Sequence, residues 1–156
     1  MNMLCRRANH RGFTLAELIA VVTILGIVAA IAIGRTGPAV LSDLAAHTDA
    51  RRLAIDLLAA QRRSIATGDN HYLSFTQASG RFTGYSVTRV TASGDVVVDS
   101  VRQFSAGLTV TGTHARAEFT FDGSALANYR YTLAAPDRTW QVEVVPATGA
   151  VRVWEL

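Results

Sequence analysis

The chain has 156 residues, enough for one globular domain and a membrane anchor. Its 15 basic residues, all arginine, exceed its 12 acidic residues by a formal charge of +3. Arg6, Arg7 and Arg11 lie before the first apolar run, so the remainder holds 15 − 3 = 12 basic and 12 acidic residues. The excess is therefore a membrane-topology signal. This location argues against a strongly basic nucleic-acid-binding domain.

The cysteine and histidine content excludes further classes of protein. Cys5 is the single cysteine, so no disulfide can form within the chain. No apolar segment precedes Cys5, which disfavours a lipoprotein. The four histidines, at positions 10, 47, 71 and 114, lack metal-ligand spacing. We therefore predict no metal site and no cofactor.

The first predicted element is a membrane helix. The apolar run from Phe13 to Ile33 would extend ~31 Å as a helix, which matches the hydrocarbon thickness of a bilayer. The small residues at 28–30 resemble a signal-peptide cleavage site. The apolar run continues past them, however, and is longer than the apolar region of a cleaved signal peptide. The arginines before it place the N-terminus in the cytoplasm. A plain signal anchor explains this run, but leaves Glu17 inside it unexplained.

The stretch "RGFTLAEL" resembles the processing site of type IV prepilins and type II secretion pseudopilins. The resemblance implies that residues 1–12 are a basic leader, which a membrane-embedded aspartyl peptidase removes between Gly12 and Phe13. It also implies N-methylation of Phe13 and makes Glu17 the fifth mature residue. In that family this carboxylate meets the terminal amine of a neighbouring subunit, so Glu17 is expected to direct filament assembly. Pairing with a cation lowers the cost of a carboxylate in hydrocarbon.

The next element is a second helical half. Two glycines and Pro38 in "GRTGPAV", residues 34–40, predict a kink or a short melted stretch in the helix. Residues 13–34 then form the transmembrane half and residues 35–67 a periplasmic amphipathic half, closed by a C-cap at Gly68. The predicted core face contains Leu41, Leu44, Thr48, Ile55, Leu58 and Ile65. The predicted polar face contains Asp49, Arg52, Asp56 and Arg63, with Asp49–Arg52 and Arg52–Asp56 as ion pairs. Arg51 and Arg62 project near the apolar face, and either flank the core or face a neighbouring subunit.

Residues 68–156 form a β-rich region. Two runs flank a turn at Gln77–Gly80, and two more flank a turn at Pro146–Gly149. Alternation predicts three inward sets: 117, 119 and 121; Tyr129, Tyr131 and Leu133; and Trp140, Val142 and Val144. The fold class is therefore α+β, with a long N-terminal helix packed on an antiparallel sheet.

The β-rich region resembles the H-type minor pseudopilins, the GspH/FimT group. The similar segments are "SIATGDNHYLSF", "FTFDGSA" and "VEVVPATGAVRVW". This resemblance implies a pilin-like fold and a non-enzymatic structural role. No nucleophile elbow, P-loop or dinucleotide fingerprint occurs in the sequence. Asp122-Gly123-Ser124 lacks the remaining oxygen ligands of a calcium loop, so we predict a turn there.

Two functions remain open from the sequence. The first is a minor pseudopilin of a type II secretion system, near the tip of a periplasmic pseudopilus. Its expected partners are prepilin peptidase, other pseudopilins and the bacterial inner membrane, which it crosses once with the C-terminal domain in the periplasm. The second is a FimT-like minor pilin of a type IV pilus that binds DNA for uptake. Arg130, Arg138 and Arg152 are its candidate phosphate-binding residues.

Overall fold

The computed structural model describes the backbone of residues 14–156 and the side chains of residues 14–31 and 40–156. The chain divides into two compact units, residues 1–38 and residues 39–156. One helix, α1 (Leu15–Thr67), contributes to both units. The predicted short melted stretch at residues 34–40 is wrong, because these residues are helical, while the alternative of a kink stays a prediction. A proline removes one backbone donor, and helix propagates favourably on both sides of Pro38.

Eight strands follow the helix. They are β1 (His71–Ala78), β2 (Arg81–Thr91), β3 (Gly94–Gln103), β4 (Thr109–Gly112), β5 (Arg116–Phe119), β6 (Tyr129–Ala134), β7 (Thr139–Val144) and β8 (Val151–Glu155). They form two four-stranded sheets, with the orders β3-β2-β1-β5 and β4-β6-β7-β8. All the pairings between these strands are antiparallel, as predicted.

One hydrophobic core joins the second half of α1 to both sheets. Both sheets contribute fully buried side chains, including Leu73 and Tyr85 from the first and Tyr131 and Val142 from the second. The predicted inward set of β6 is confirmed, and so is that of β7. Phe121 departs from its predicted set: β5 ends at Phe119, and the side chain of Phe121 is 64% exposed in the turn that follows.

The core face of α1 is not the predicted one. The buried positions are mainly alanine and leucine, namely Ala46, Ala50, Leu53, Ala54, Leu57 and Ala60, together with Asp49, Asp56 and Ser64. Leu41, Leu44, Ile55 and Ile65, which were expected in the core, are all more than half exposed. Alanine lets the sheets approach the helix closely, so small residues form the packed face and larger apolar residues face outward.

The packed face of α1 was predicted to be its polar face because it contains two aspartates, Asp49 and Asp56, both of which are buried. Asp49 accepts a hydrogen bond from the backbone nitrogen of Ser105 at 2.7 Å and pairs with Arg52 at 2.9 Å. Asp56 accepts a hydrogen bond from the hydroxyl of Tyr85 at 2.7 Å. The predicted Asp49–Arg52 pair is therefore confirmed. The predicted Arg52–Asp56 pair is wrong, because Arg102 of β3 pairs with Asp56 at 3.3 Å instead. Buried carboxylates are tolerated when such partners satisfy them.

The end of α1 is fixed to the sheets by short polar contacts. Gly68 has φ +75° and donates its N–H to the carbonyl of Ser64 at 3.0 Å, which confirms the predicted C-cap. The Ser64 hydroxyl donates to the carbonyl of Phe119 at 3.2 Å and accepts the N–H of His71 at 3.0 Å. These contacts hold α1 against both β1 and β5.

A glycine turn completes this junction. The amide of Gln61 donates to the carbonyls of Gly123 and Thr148, at 2.8 and 2.9 Å. Gly149 has φ +61°, and a Cβ atom at that position would lie 2.2 Å from both the Gln61 Nε2 atom and the Gly123 oxygen. Only glycine therefore fits the turn between β7 and β8 while the helix remains bonded to it.

Candidate assembly site at the start of the helix

The N-terminal site contains Gly12, Phe13 and Glu17. Gly12 and Phe13 lie outside the described residues, so their cleavage and methylation stay predictions. Glu17 lies in the first turn of α1, next to Thr14. Its carboxylate accepts the backbone N–H of Thr14 at 3.2 Å and the Thr14 hydroxyl at 3.3 Å. In return, the backbone N–H of Glu17 donates to the Thr14 hydroxyl oxygen at 3.2 Å.

This reciprocal pair is a capping box, in which Thr14 is the N-cap and Glu17 the third helical residue. It satisfies two backbone donors that the first turn of a helix leaves without partners. The negative charge also lies at the positive end of the helix dipole. Glu17 therefore has a local structural role at the start of the helix, and its role in filament assembly stays a prediction. The signal was readable in the sequence, because Thr14 and Glu17 have the Thr-x-x-Glu spacing of a capping box.

The helix after Glu17 presents apolar side chains on every face. From Leu15 to Ile31, all described side chains are exposed, including Leu18, Val22 and Leu25. A segment that is apolar all around is typical of helices that pack in lipid or among other helices.

Among the residues whose side chains are described, no helical stretch meets both the length and the hydropathy needed to cross a membrane.

Two of the three candidate DNA-binding arginines pair with carboxylates, and the third lies opposite one of those carboxylates in the strand register. Arg130 on β6 pairs with Glu143 on β7 at 2.9 Å, and Arg152 on β8 lies opposite Glu143 in the strand register. Arg138, in the β6–β7 turn, pairs with Glu155 at 3.7 Å. The Arg130 guanidinium and the Asn128 amide lower the pKa of Glu143. The carboxylates offset part of the positive charge that phosphate binding would need.

The loop at Asp122 is a turn, as predicted. One Asp122 carboxylate oxygen accepts hydrogen bonds from the Thr120 hydroxyl, from the Ser124 backbone N–H at 3.0 Å and from the Ser124 hydroxyl at 2.9 Å. The Thr120 and Ser124 hydrogen bonds lower the pKa of Asp122 to about 2. These short-range bonds close the turn around one carboxylate oxygen of Asp122.

Buried tyrosines predict a loss of stability in alkali. Burial raises the pKa of Tyr85, and its hydrogen bond to Asp56 raises it further. Burial also raises the pKa of Tyr131. Unfolded tyrosine ionises near pH 10, so the folded state retains these protons above that pH and stability falls as pH rises further. Urea titrations from pH 8 upward should show constant stability below about pH 10 and a decline above it.

A single substitution checks the source of this decline. Tyr85→Phe removes one titrating group, so the slope above pH 10 should lessen by about 1.4 kcal/mol per pH unit. The slope is diagnostic because the lost hydrogen bond to Asp56 changes stability by a similar amount at every pH in this range. An unchanged alkaline slope would mean that Tyr85 does not titrate with unfolding.

Comparison with a protein-family model identifies the N-terminal segment. The prokaryotic N-terminal methylation motif matches residues 7–33, which include Gly12, Phe13 and Glu17. No curated protein matches the sequence. The matched motif, followed by a helix with exposed apolar side chains, suggests membrane anchoring of this part of the chain.

Solved structures share the fold of the rest of the chain. The minor pseudopilin EpsH from the Type 2 Secretion System of Vibrio cholerae is 16% identical, with a TM-score of 0.59. The match covers 70% of this chain and 96% of EpsH. The type IV minor pilin FimU of Pseudomonas aeruginosa strain PAO1 is 17% identical, with a TM-score of 0.56, over 69% of this chain and 87% of FimU.

The predicted α+β, pilin-like fold is therefore confirmed: this chain has a long helix followed by antiparallel sheets, and its fold matches those of both proteins over 70% and 69% of its length. The N-terminal motif and the fold together are consistent with a GspH/FimT-like pseudopilin, as the sequence predicted.

Proposed function

We propose that the chain is a minor pseudopilin of a type II secretion system, a structural subunit near the tip of a periplasmic pseudopilus that drives protein export. The observation that carries the proposal is Glu17, a carboxylate inside a helix whose neighbouring exposed side chains are apolar. It lies within the matched methylation motif, ahead of a domain with the fold of EpsH. A charge is costly in such a setting unless an assembly partner compensates for it.

In this proposal, prepilin peptidase cuts between Gly12 and Phe13, and the new N-terminus of Phe13 is methylated. Residues 13–34 anchor the chain once in the bacterial inner membrane, with the N-terminus in the cytoplasm. Residues 35–67 continue the helix, and residues 68–156 form the β-rich domain in the periplasm. The other partners are major and minor pseudopilins. The three arginines before the anchor support this orientation.

A FimT-like minor pilin of a type IV pilus is the second candidate. The match to FimU favours it, because its TM-score of 0.56 is close to the 0.59 of EpsH. DNA binding through Arg130, Arg138 and Arg152 has weaker support, because Arg130 and Arg138 already pair with carboxylates. Residues 13–156 contain equal numbers of basic and acidic residues, which also argues against DNA binding.

Deletion of the coding region in the native host tests the proposal. We expect extracellular proteins to accumulate in the periplasm, while surface pili, twitching and DNA uptake stay at wild-type levels. Re-expression of the intact chain should restore export, whereas a Gly12→Glu chain, which keeps its leader, should not. Normal export with lost piliation or lost DNA uptake would favour the second candidate and contradict the first.

A further inference from the structure

A pocket of about 460 Å³ lies where the end of α1 meets the first sheet. Four elements line it: α1 with Arg63 and Thr67, β1 with His71, β2 with Arg89 and Thr91, and β3 with Val96 and Val98. Among the described residues, the lining contains two guanidinium groups and one imidazole but no carboxylate. The pocket therefore combines basic groups with an apolar wall.

His71 is the buried polar residue of this pocket, and only 2% of it is exposed. Its Nδ1 atom lies 3.0 Å from the carbonyl oxygen of Asp69, which can only accept, so Nδ1 carries a proton. The other ring nitrogen, Nε2, makes no hydrogen bond within the described part of the chain. Among the described side chains, the enclosed polar atoms without a partner belong to Arg52 and Trp140. Nε2 of His71 is therefore open to the pocket.

The two arginines beside His71 are held in place but keep unused donors. Arg63 donates from Nη1 to Asp99 at 2.7 Å, which leaves its Nε and Nη2 groups. Arg89 donates to Asp69 from Nε at 2.8 Å and from Nη2, which leaves its Nη1 group. Because one aspartate balances each guanidinium, the group as a whole has no net charge while the imidazole is neutral.

No other charged group of the described residues that pack on His71 changes this balance. Arg89 lies opposite His71 in the register of β2, and Phe119 lies opposite it in β5. The neighbour of Phe119, Glu118, points to the other face of the sheet and pairs with Arg116 at 2.8 Å. A charged ligand in the pocket would therefore need its own compensating charge.

A carboxylate fits these groups if His71 takes up a proton. Carboxylate oxygens can accept from the unused N–H groups of Arg63 and Arg89. A carboxylate has no donor, so it bonds to Nε2 only when that atom is protonated. The ligand then brings one negative charge and the imidazolium one positive charge, which keeps the buried group neutral. An aliphatic chain on the ligand would pack on Val96 and Val98, which are 52% and 42% exposed.

We propose that this pocket binds an aliphatic carboxylate, and that His71 takes up one proton from solvent as the ligand enters. Two sources present this chemistry, the C-terminus of a polypeptide with an apolar last residue and a free short-chain fatty acid. The inference does not depend on the proposed function, because it uses only the groups of the pocket.

Isothermal titration calorimetry of the full-length chain in lipid nanodiscs tests the proposal, with empty nanodiscs as the blank. The probes are isocaproate and N-acetyl-alanyl-leucine, each compared with its own amide. We expect one acid to bind at least about tenfold more tightly than its amide, because hydrogen bonds to charged groups are lost in the amide. Tighter binding of isocaproate identifies a fatty acid as the source, and tighter binding of the peptide identifies a polypeptide C-terminus.

Proton uptake is the second readout. Titrations at about pH 8 in buffers with different heats of ionisation should show protons taken up with the acid and none with the amide. The ¹⁵N signal of the His71 Nε2 atom should move to the imidazolium position when the acid is added. This measurement needs no variant of the buried residue.

Two substitutions of His71 separate its contacts. His71→Asn can keep a donor to the Asp69 carbonyl but has no atom at the Nε2 position, so binding should weaken at least about tenfold and proton uptake should vanish. His71→Gln places an amide near that position, so it should bind the acid without proton uptake. His114→Asn, at an exposed histidine, is the matched control and should behave as the wild type. Urea unfolding checks that each variant is folded.

Equal affinity for acid and amide would overturn the proposal, and so would binding of the acid without proton uptake. An Nε2 signal that the acid does not move would contradict it as well. Loss of binding in His114→Asn equal to that in His71→Asn would place the ligand elsewhere. Leader processing and export are measured separately, so failure of the proposed function would leave these results interpretable.

Discussion

Replacing Leu57 with alanine will destabilise the β-containing unit by about 2–5 kcal/mol, because it empties a fully buried site in the core. Leu57 lies in the hydrophobic cluster that α1 shares with both sheets. The loss combines removed apolar burial with the cavity left behind. Urea unfolding of the full-length chain, followed by the fluorescence of Trp140 and Trp154, measures the effect.

Ile55 is the matched control, since it lies two residues away on the same helix but is 64% exposed. Ile55→Ala should change the free energy of unfolding by at most about 0.5 kcal/mol, because no cavity forms and alanine favours helix. The sequence pattern alone predicts the opposite ranking, with Ile55 in the core. Equal losses from the two substitutions would mean that the packed face of α1 is misassigned.

Replacing Glu17 with glutamine will separate its two roles. Glutamine can still accept the N–H of Thr14 and complete a capping box, so the helix start should persist. The charge that is proposed to meet a neighbouring subunit's terminal amine is lost, so that amine would be left unpaired in low dielectric. We expect leader removal and membrane insertion at wild-type levels, and incorporation reduced at least tenfold (about 1.4 kcal/mol or more).

Thr14→Val provides the converse control. It removes the hydroxyl that bonds to Glu17 but keeps the carboxylate, so it should weaken the cap by about 1 kcal/mol and leave assembly intact. Site-specific cross-linking between α1 and the other filament subunits measures incorporation in both variants. If Glu17→Gln cross-links normally while Thr14→Val does not, Glu17 acts through the cap alone and the pairing role is wrong.

The sequence predicted the elements well because local signals mark them. Gly68 ends the helix, and alternation identifies the buried sides of β6 and β7. Phe121 does not follow the predicted alternation because β5 ends at Phe119 and the chain turns at Asp122. The alternation of apolar and polar residues does not show the end of a strand to within two residues.

The packed face of α1 was not predictable from the helix alone. Reading carboxylates as exposed is sound for an isolated helix, but Asp49 and Asp56 find their partners on distant strands and loops, at Ser105, Tyr85 and Arg102. Those contacts exist only after the sheets have packed. The same is true of Leu41, Leu44, Ile55 and Ile65, which are exposed because the other face of the helix packs on the sheets. At the N-terminus, both the methylation motif and the Thr-x-x-Glu spacing of the capping box were visible in the sequence.

The central claim is that this chain is a processed, prepilin-type subunit, and intact-mass analysis of the protein recovered from its native membranes tests it most directly. The account predicts a mature chain that begins at Phe13, lacks residues 1–12 and carries one added methyl group. The Gly12→Glu chain should retain the full leader. A full-length mass for the wild-type chain, or a cut near Ala30, would contradict the account.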